Sequence, residues 1–180
     1  HCSRFKHMVR SAGRPGDGEQ TIAAAVGELE TLVRPATDDR QPNLDDSRHR
    51  FALASARNVR GLLLSSRGRN AEAAGVFQRA VRDFEALGRA DADHPDYVQA
   101  RADSRLNLAN AQRTLGRDDE GMQAYDAATS DYRDLLKAIP DVPAYREDLG
   151  RALTNAGQLL HKLGRNPDAK QRLEEAHATF

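Results

Sequence analysis

The chain has 180 residues, of which 39% are apolar, and its 27 basic residues balance its 27 acidic residues. Because binding to phosphate groups needs an excess of basic residues, nucleic acid is not an expected partner. No apolar run is long enough to span a membrane and the N-terminus does not read as a signal peptide, so no membrane partner is expected either. The one cysteine, Cys2, excludes an internal disulfide framework and favours a reducing compartment, which predicts a cytoplasmic location.

The first predicted helix pair covers residues 1–33. Residues 1–12 are expected to be the stub of a first helix, and Gly13-Arg14 matches Gly68-Arg69 after a shift of 55 residues. A solvated loop is predicted at 34–44, because prolines and aspartates are concentrated there. Since the chain does not begin with methionine, we expect it to be a fragment of a longer protein.

From residue 45 onward the sequence repeats every 48 residues. The triplet Leu115-Gly116-Arg117 has counterparts at 67–69 and 163–165. The same shift relates Asp45, Asp93 and Asp141, Pro95 and Pro143, Tyr97 and Tyr145, Asn107 and Asn155, and Phe77, Tyr125 and Leu173. A fixed period of this kind is typical of a stacked repeat array. The predicted pairs cover 45–89, 93–139 and 141–180, and together with the first pair they form one array over 1–180.

Each repeat is predicted to be a pair of antiparallel helices. In the copy at 93–139, Asp93 is expected to cap the first helix, and Pro95 lies in its first turn, where a missing N–H costs nothing. Gly116 supplies the left-handed residue that ends this helix, and Pro140 ends the second helix. The corresponding predicted caps in the other copies are Asp45 and Asp141 for the first helices and Asn70 and Asn166 for the second.

Small residues recur where the two helices of a pair must approach closely. They are Gly61, Ala109 and Gly157 on the first helices and Ala73, Gly121 and Ala169 on the second. A glycine inside a helix costs about 1 kcal/mol relative to alanine, so its use there indicates close packing. Tyr97 and Tyr145 are expected to pack against the preceding pair, and Tyr125 and Tyr132 to lie in the core.

These residues resemble the tetratricopeptide repeat, a helix–turn–helix motif of roughly 34 residues. The match in type and spacing involves Ala109, Gly116, Gly121, Tyr125 and Ala128, and again Gly157, Gly164, Ala169, Leu173 and Ala176. The chain departs from the family pattern in its longer period and in having no tryptophan. It looks like the extended repeats of large bacterial proteins, some of which also carry a serine/threonine kinase domain. The resemblance, over roughly 13–180, implies an all-α fold: a right-handed α-solenoid of antiparallel helix pairs.

In tetratricopeptide arrays the first helices line a concave groove that holds a peptide, so the resemblance implies a groove here. Transferring that register gives the partner-binding positions Asn58, Leu62, Ser65, Leu106, Asn110, Arg113, Arg151, Thr154, Gln158, His161 and Lys162. The last copy is the most cationic, and Arg113, His161 and Lys162 together with Asn110 can hydrogen-bond a carboxylate, which favours an acidic protein or peptide. The alternative is that these positions form only a solvated helix face.

No set of residues assembles a catalytic or metal site, so we expect no enzyme activity, no cofactor and no metal. His1, Cys2 and His7 lack a fourth ligand at a zinc-like spacing. The aspartates at 91, 93 and 96 lack the glycine and the closing glutamate of a calcium loop. The glycines at 13, 16 and 18 are not followed by the Gly-Lys-Ser/Thr of a phosphate-binding loop.

Two other functions remain open beside the peptide-binding scaffold. The chain can be the regulatory or sensor region of a larger signalling protein, such as a serine/threonine kinase. It can also self-associate through uncapped ends, because terminal repeats normally need a polar outer face and the last helix stripe ends at Phe180 without a polar capping helix.

Overall fold

The computed structural model describes residues 17–33, 44–91 and 94–179. These residues form seven α-helices and no strand: α1 Asp17–Leu32, α2 Leu44–Ser66, α3 Asn70–Ala90, α4 Pro95–Thr114, α5 Asp118–Ala138, α6 Pro143–Lys162 and α7 Asn166–Ala178. The chain divides into two compact units, unit 1 at 1–92 and unit 2 at 93–180. The predicted helix stub at 1–12 lies outside the described residues, as does the predicted loop except for Leu44, which is the first residue of α2.

Unit 1 contains α1, α2 and α3, each packed against the next. Ile22 and Val26 on α1 form one apolar cluster with Leu53 and Ala56 on α2. The α2–α3 pair closes over buried aromatic rings, and Phe84 meets Phe51 edge to face at a centroid distance of 5.6 Å. Consecutive helices in this unit therefore bury their apolar faces against each other.

Unit 2 contains α4 to α7, which also pack consecutively, and α4 contacts α6 directly. One core cluster draws residues from all four helices, among them Leu106 and Ala109 of α4, Tyr125, Tyr132 and Leu135 of α5, Tyr145, Leu149 and Leu153 of α6, and Ala176 of α7. Tyr145 packs against the preceding pair as predicted, and Tyr125 and Tyr132 lie in the core as predicted. In both units the described helices have the serial packing of a helical solenoid, which confirms the predicted fold class.

The turn inside each tight helix pair is built on a glycine with positive φ. Gly68, Gly116 and Gly164 have φ of 75°, 73° and 74°. At the middle turn the backbone amide of Arg117 donates to the carbonyl of Gln112 at 2.9 Å, and the backbone amide of Gly116 donates to the carbonyl of Arg113 at 3.1 Å. The turns at Gly68 and Gly164 have the same two bonds. This is the Schellman arrangement, so the predicted left-handed glycine is confirmed.

The predicted caps of the first helices are wrong. Asp45 lies inside the first turn of α2, and Asp141 lies in the turn before α6, which is capped by Val142. A residue before proline is held extended, and Val142 has φ −99° and ψ 103°, so α6 begins at Pro143. Asp93 itself lies outside the described residues, and the predicted cap is wrong there too, because His94 occupies the cap position of α4.

The predicted caps of the second helices are displaced by one residue. Arg69 and Arg165 occupy the cap positions, and Asn70 and Asn166 are the first helical residues. The Asn70 side chain instead accepts a hydrogen bond from the Ser65 hydroxyl at 2.9 Å. The asparagine oxygen therefore contacts the end of the preceding helix instead of an amide of its own helix.

The predicted close approach of paired helices is confirmed at two glycines. A Cβ on Gly61 would lie 2.4 Å from a ring carbon of Phe77, and a Cβ on Gly157 would lie 2.9 Å from Cγ of Leu173. At both positions the missing side chain makes room for a large residue of the facing helix.

Candidate functional site: a polar face on unit 2

Side chains of α4 and α6 form a polar face on unit 2. We define it by Asp103, Asn110 and Arg113 on α4 and by Asp148, Arg151, Asn155, Gln158, His161 and Lys162 on α6. On each helix these residues recur at intervals of three, four or seven, with His161 and Lys162 adjacent at the end of α6, which places them on one side of the helix. The two helices are bridged by the amide of Asn155, which donates to Oδ1 of Asn110 at 3.2 Å.

Two tyrosines of α5 support this face from below. The Tyr125 hydroxyl donates to Oδ1 of Asn110 at 2.6 Å, and the Tyr132 hydroxyl donates to Oδ1 of Asp103 at 2.6 Å. Both tyrosines are 0% exposed, so only the hydroxyl end of each ring reaches the polar residues of α4. Buried hydrogen bonds of this kind hold Asn110 and Asp103 in fixed orientations.

The end of the face near the start of α6 is acidic. Burial raises the pKa of Asp103 above its ordinary value, and the hydrogen bond from Tyr132 opposes that rise. Burial also raises the pKa of Asp148, and the negative charge of Asp103 adds to the increase. Arg151 donates to Oδ1 of Asp148 at 2.6 Å, so its positive charge is already paired.

The opposite end, where α4 and α6 finish, is basic. Lys162 contacts both carboxylate oxygens of Asp118 at 2.9 and 3.0 Å. Nδ1 of His161 lies 2.9 Å from Oδ1 of Asn166. Nε of Arg113 is buried and has no hydrogen-bond partner in the described part of the chain. Burial raises the pKa of Tyr125, and the positive charge of the neighbouring Arg113 opposes that rise.

The structure removes one predicted residue from the exposed surface. Leu106 is buried in the core cluster of unit 2, so its prediction as a groove residue is corrected. Its position on α4 places it between the helices of the unit, where apolar area is excluded from water. Thr154 is half-buried, and its hydroxyl donates to the carbonyl of Gly150 at 2.8 Å. Gln158 is exposed.

The remaining predicted positions lie on α2 of unit 1. Leu62 is 47% exposed, Asn58 is half-buried, and the Ser65 hydroxyl is bonded to Asn70. Of these three side chains, Leu62 offers apolar area to solvent.

Sequence reasoning did not identify Asp103, Asp148 or Asn155, nor the roles of the tyrosine hydroxyls. A signal was present, because Tyr125 and Tyr132 are seven residues apart on α5, and Asn110 and Asp103 are seven apart on α4. Antiparallel helices bring pairs with this matched spacing opposite each other.

Metal-binding clusters and membrane-spanning helices are not found in the described parts of the chain. No group of three or more His, Cys, Asp or Glu among those residues is arranged to hold a metal ion. None of the described helices is long and apolar enough to cross a membrane. The N-terminal residues His1, Cys2 and His7 lie outside the described residues.

Paired helices with a glycine turn in each tight pair define a helical-repeat fold in the described residues. The family model described as tetratricopeptide repeat matches residues 53–96, from within α2 through α3 to the first turn of α4. This match supports assignment of the chain to the tetratricopeptide repeat family, whose repeats are generally non-catalytic modules for protein–protein interaction. No curated protein matches the chain.

Proposed function

We propose that the polar face of unit 2 binds an acidic segment of a partner protein, with Arg113 as the main anion contact. One observation carries the proposal: Arg113 hydrogen-bonds Tyr125 but makes no ion pair with a carboxylate in the described part of the chain, whereas Arg151 and Lys162 are paired with Asp148 and Asp118. A guanidinium without a carboxylate partner presents charged donors that can bind a carboxylate.

The hydrogen bonds that hold the polar residues of the face in place favour binding. Tyr125 and Tyr132 fix Asn110 and Asp103, and Asn155 is bonded to Asn110. Side chains that are already ordered lose little conformational entropy when a partner binds. The face therefore suits an extended segment that makes hydrogen bonds to several polar residues in fixed positions.

The charge distribution sets the direction of the bound segment. The basic end carries Arg113, His161 and Lys162, and the acidic end carries Asp103 and Asp148. We infer that the acidic residues of the segment lie over the basic end and that neutral or basic residues lie over the acidic end.

We infer a role in binding without catalysis. The carboxylates of the face are held by a tyrosine hydroxyl at Asp103 and by a guanidinium at Asp148. Both partners orient these carboxylates for recognition, and the family's repeats are generally non-catalytic.

The test uses the full chain and an N-terminally fluorescein-labelled ten-residue peptide of alternating Glu and Ala, titrated by fluorescence anisotropy. Arg113→Gln is expected to weaken binding about tenfold or more, because a hydrogen bond to a charged group contributes about 1.5–3 kcal/mol. Raising the salt concentration to about 0.5 M should reduce the affinity of the parent chain and narrow this difference.

Lys137→Gln is the matched control, since it removes the same charge from an exposed position in the last turn of α5. It should leave the affinity unchanged. Equal affinities for the parent chain and Arg113→Gln, or equal losses in both variants, would contradict the proposal.

A further inference from the structure

One side of α3 in unit 1 carries a stripe of positive charge. Its residues follow one another at helical spacing, so they lie on the same side of the helix. They are Gly75, Gln78, Arg79, Arg82, Ala86 and Arg89, and we call this set the α3 stripe. All three arginines are exposed, whereas the opposite side of α3 is buried in unit 1.

The arginines of the α3 stripe make no ion pair with a carboxylate among the described residues. Nε of Arg79 donates to the carbonyl of Gly75 at 3.4 Å, within α3. The acidic residue next to Arg82 in the chain, Asp83, is paired with Arg57 of α2. The stripe therefore presents three positive charges to solvent without a carboxylate from the described residues to neutralise them.

The fold does not require arginine at these three positions. The equivalent residues 48 positions later, on α5, are Ala127, Ser130 and Lys137, and the last two are also exposed. Exposure of this side is a property of the helix pair, since α5 shows it although α6 packs against α5. Like charges three residues apart on a helix repel each other, so Arg79 and Arg82 do not stabilise α3 by lying together. Neither the fold nor helix stability accounts for the stripe, which favours a role in recognition.

We propose that the α3 stripe binds an acidic α-helix of a protein partner, whose carboxylates lie opposite the three guanidinium groups. Arg82 follows Arg79 by three residues and Arg89 follows Arg82 by seven, a span of about 15 Å along the helix axis. A second α-helix has the same rise per residue, so glutamates at intervals of three and seven reproduce this pattern. Gly75 leaves room for close approach, because a Cβ there would meet no atom within 4 Å.

The width of the stripe favours a line of carboxylates over a broad anionic surface. Acidic residues flank it on both sides of α3: Glu72 and Asp83 on one side and Glu85 on the other. The chain as a whole has no basic excess, which a duplex nucleic acid would require. The repeats of this family are generally modules for protein–protein interaction, which also favours a protein as the occupant.

The probe is a fluorescein-labelled helical peptide of 18 residues, titrated into the full chain by fluorescence anisotropy. It consists of alanine and glutamine, with glutamates at peptide positions 4, 7, 11 and 14, so that intervals of three and seven occur in either chain direction. The parent chain is expected to bind it. Arg79→Gln, Arg82→Gln and Arg89→Gln combined should weaken binding about tenfold, because each exposed ion pair contributes little and three are removed. Circular dichroism of this triple variant should match that of the parent chain.

Lys137→Gln is the matched control, because Lys137 is the exposed equivalent of Arg89 on α5 and the substitution removes the same charge. It should leave the affinity unchanged, and so should Arg113→Gln, which tests the polar face. The α3 stripe lies on unit 1 and does not depend on the function proposed for unit 2. Failure of one proposal is therefore distinguishable from failure of the other.

A charge reversal tests the alignment of the two helices. Arg82→Glu should weaken binding of the probe, and a probe with lysine at peptide position 7 or 11 should restore it. Peptide position 7 lies opposite Arg82 when the helices run parallel, and position 11 does so when they run antiparallel. Restoration by neither probe would contradict the proposal.

The remaining outcomes concern the identity of the occupant. Absence of probe binding, or equal binding by the parent chain and the triple variant, would overturn the proposal. So would equal binding of a peptide of the same composition with glutamates at positions 4, 6, 8 and 10, because these face opposite sides of a helix. Binding of phosphatidylserine vesicles or of duplex DNA that the triple variant abolishes would also overturn it, by identifying a different occupant.

Discussion

Single residues with unusual backbone conformation determine where the helix pairs turn. Gly68, Gly116 and Gly164 have positive φ, and a Cβ at Gly68 would meet no atom within 4 Å. Any cost of a side chain at Gly68 is therefore conformational and not steric. Gly75, on α3 of the same unit, also has no atom within 4 Å of a Cβ, but it is a helical residue without positive φ.

This pair of glycines allows a prediction with opposite signs. Gly68→Ala should lower the free energy of unfolding by about 1–2 kcal/mol, because an L-residue is strained in the left-handed region. Gly75→Ala should raise it by about 0.5–1 kcal/mol, since alanine loses less entropy in a helix. Urea denaturation of the full chain, followed by far-UV circular dichroism, measures both changes. The same sign for both would contradict the assignment of the turn.

Residue-level prediction from sequence succeeded where one backbone requirement determines the residue type. Only glycine readily adopts the positive φ of the turn, so Gly116 could be assigned from its place after a helical stripe. Helix caps were predicted less well, because several residues near the start of a helix can occupy the cap position. The proline at 143 determined where α6 begins, and Asp141 was left outside the helix.

Side-chain pairing on the candidate site was the least predictable feature. Periodicity placed Asn110 on the correct helix, but its bonds to Tyr125 and Asn155 depend on two other helices. Leu106 lies at a helix position that lines the groove in tetratricopeptide arrays. It is nevertheless buried here, because the helices around α4 enclose it. Register predicts the face of a helix, whereas burial depends on what packs over that face.

At the scale of elements, paired helices are held by close apolar contact and by buried or half-buried ion pairs. Asp131 on α5 is 4% exposed and accepts hydrogen bonds from Arg101 and Arg105 of α4. The equivalent pair, 48 residues earlier, joins Arg57 on α2 to Asp83 on α3. This recurrence was present in the sequence, so the repeat register could have predicted both ion pairs.

The distance between α2 and α3 is limited by Gly61. We predict that Gly61→Ala lowers the free energy of unfolding by about 1–3 kcal/mol, because the added methyl group would overlap the buried ring of Phe77. Phe77→Leu should rescue part of this loss, since leucine is the residue that faces Gly157 in the α6–α7 pair. A double-mutant cycle measured by urea denaturation gives the coupling between the two positions.

Phe84→Leu is the control for this cycle, because Phe84 is another buried ring on α3 that packs against Phe51 and is not among the atoms nearest Gly61. The changes that Phe84→Leu and Gly61→Ala cause in the free energy of unfolding should add, and Phe84→Leu should not rescue the loss caused by Gly61→Ala. Additive effects of Gly61→Ala and Phe77→Leu would mean that the ring does not limit the approach of α2 to α3.

At the scale of the molecule, repetition made the fold predictable from one sequence. Each repeat combines a helical stripe, a glycine turn and a proline near a helix end, and these independent signals agree in register. The division into two units was not predicted. The sequence period reports the length of each repeat, but it carries no information on how closely neighbouring repeats contact each other. It is the contacts within 93–180 that define unit 2.

Unit 2 should therefore fold as an isolated fragment. Its core cluster draws on α4, α5, α6 and α7, so residues 93–180 contain the apolar partners of this core. We predict that the fragment gives a helical circular dichroism spectrum, a cooperative thermal transition and a dispersed amide NMR spectrum. A shorter fragment, 93–142, lacks α6, whose Tyr145, Leu149 and Leu153 belong to that core, and should lose the cooperative transition. Failure of the longer fragment to unfold cooperatively would show that unit 2 depends on residues before 93.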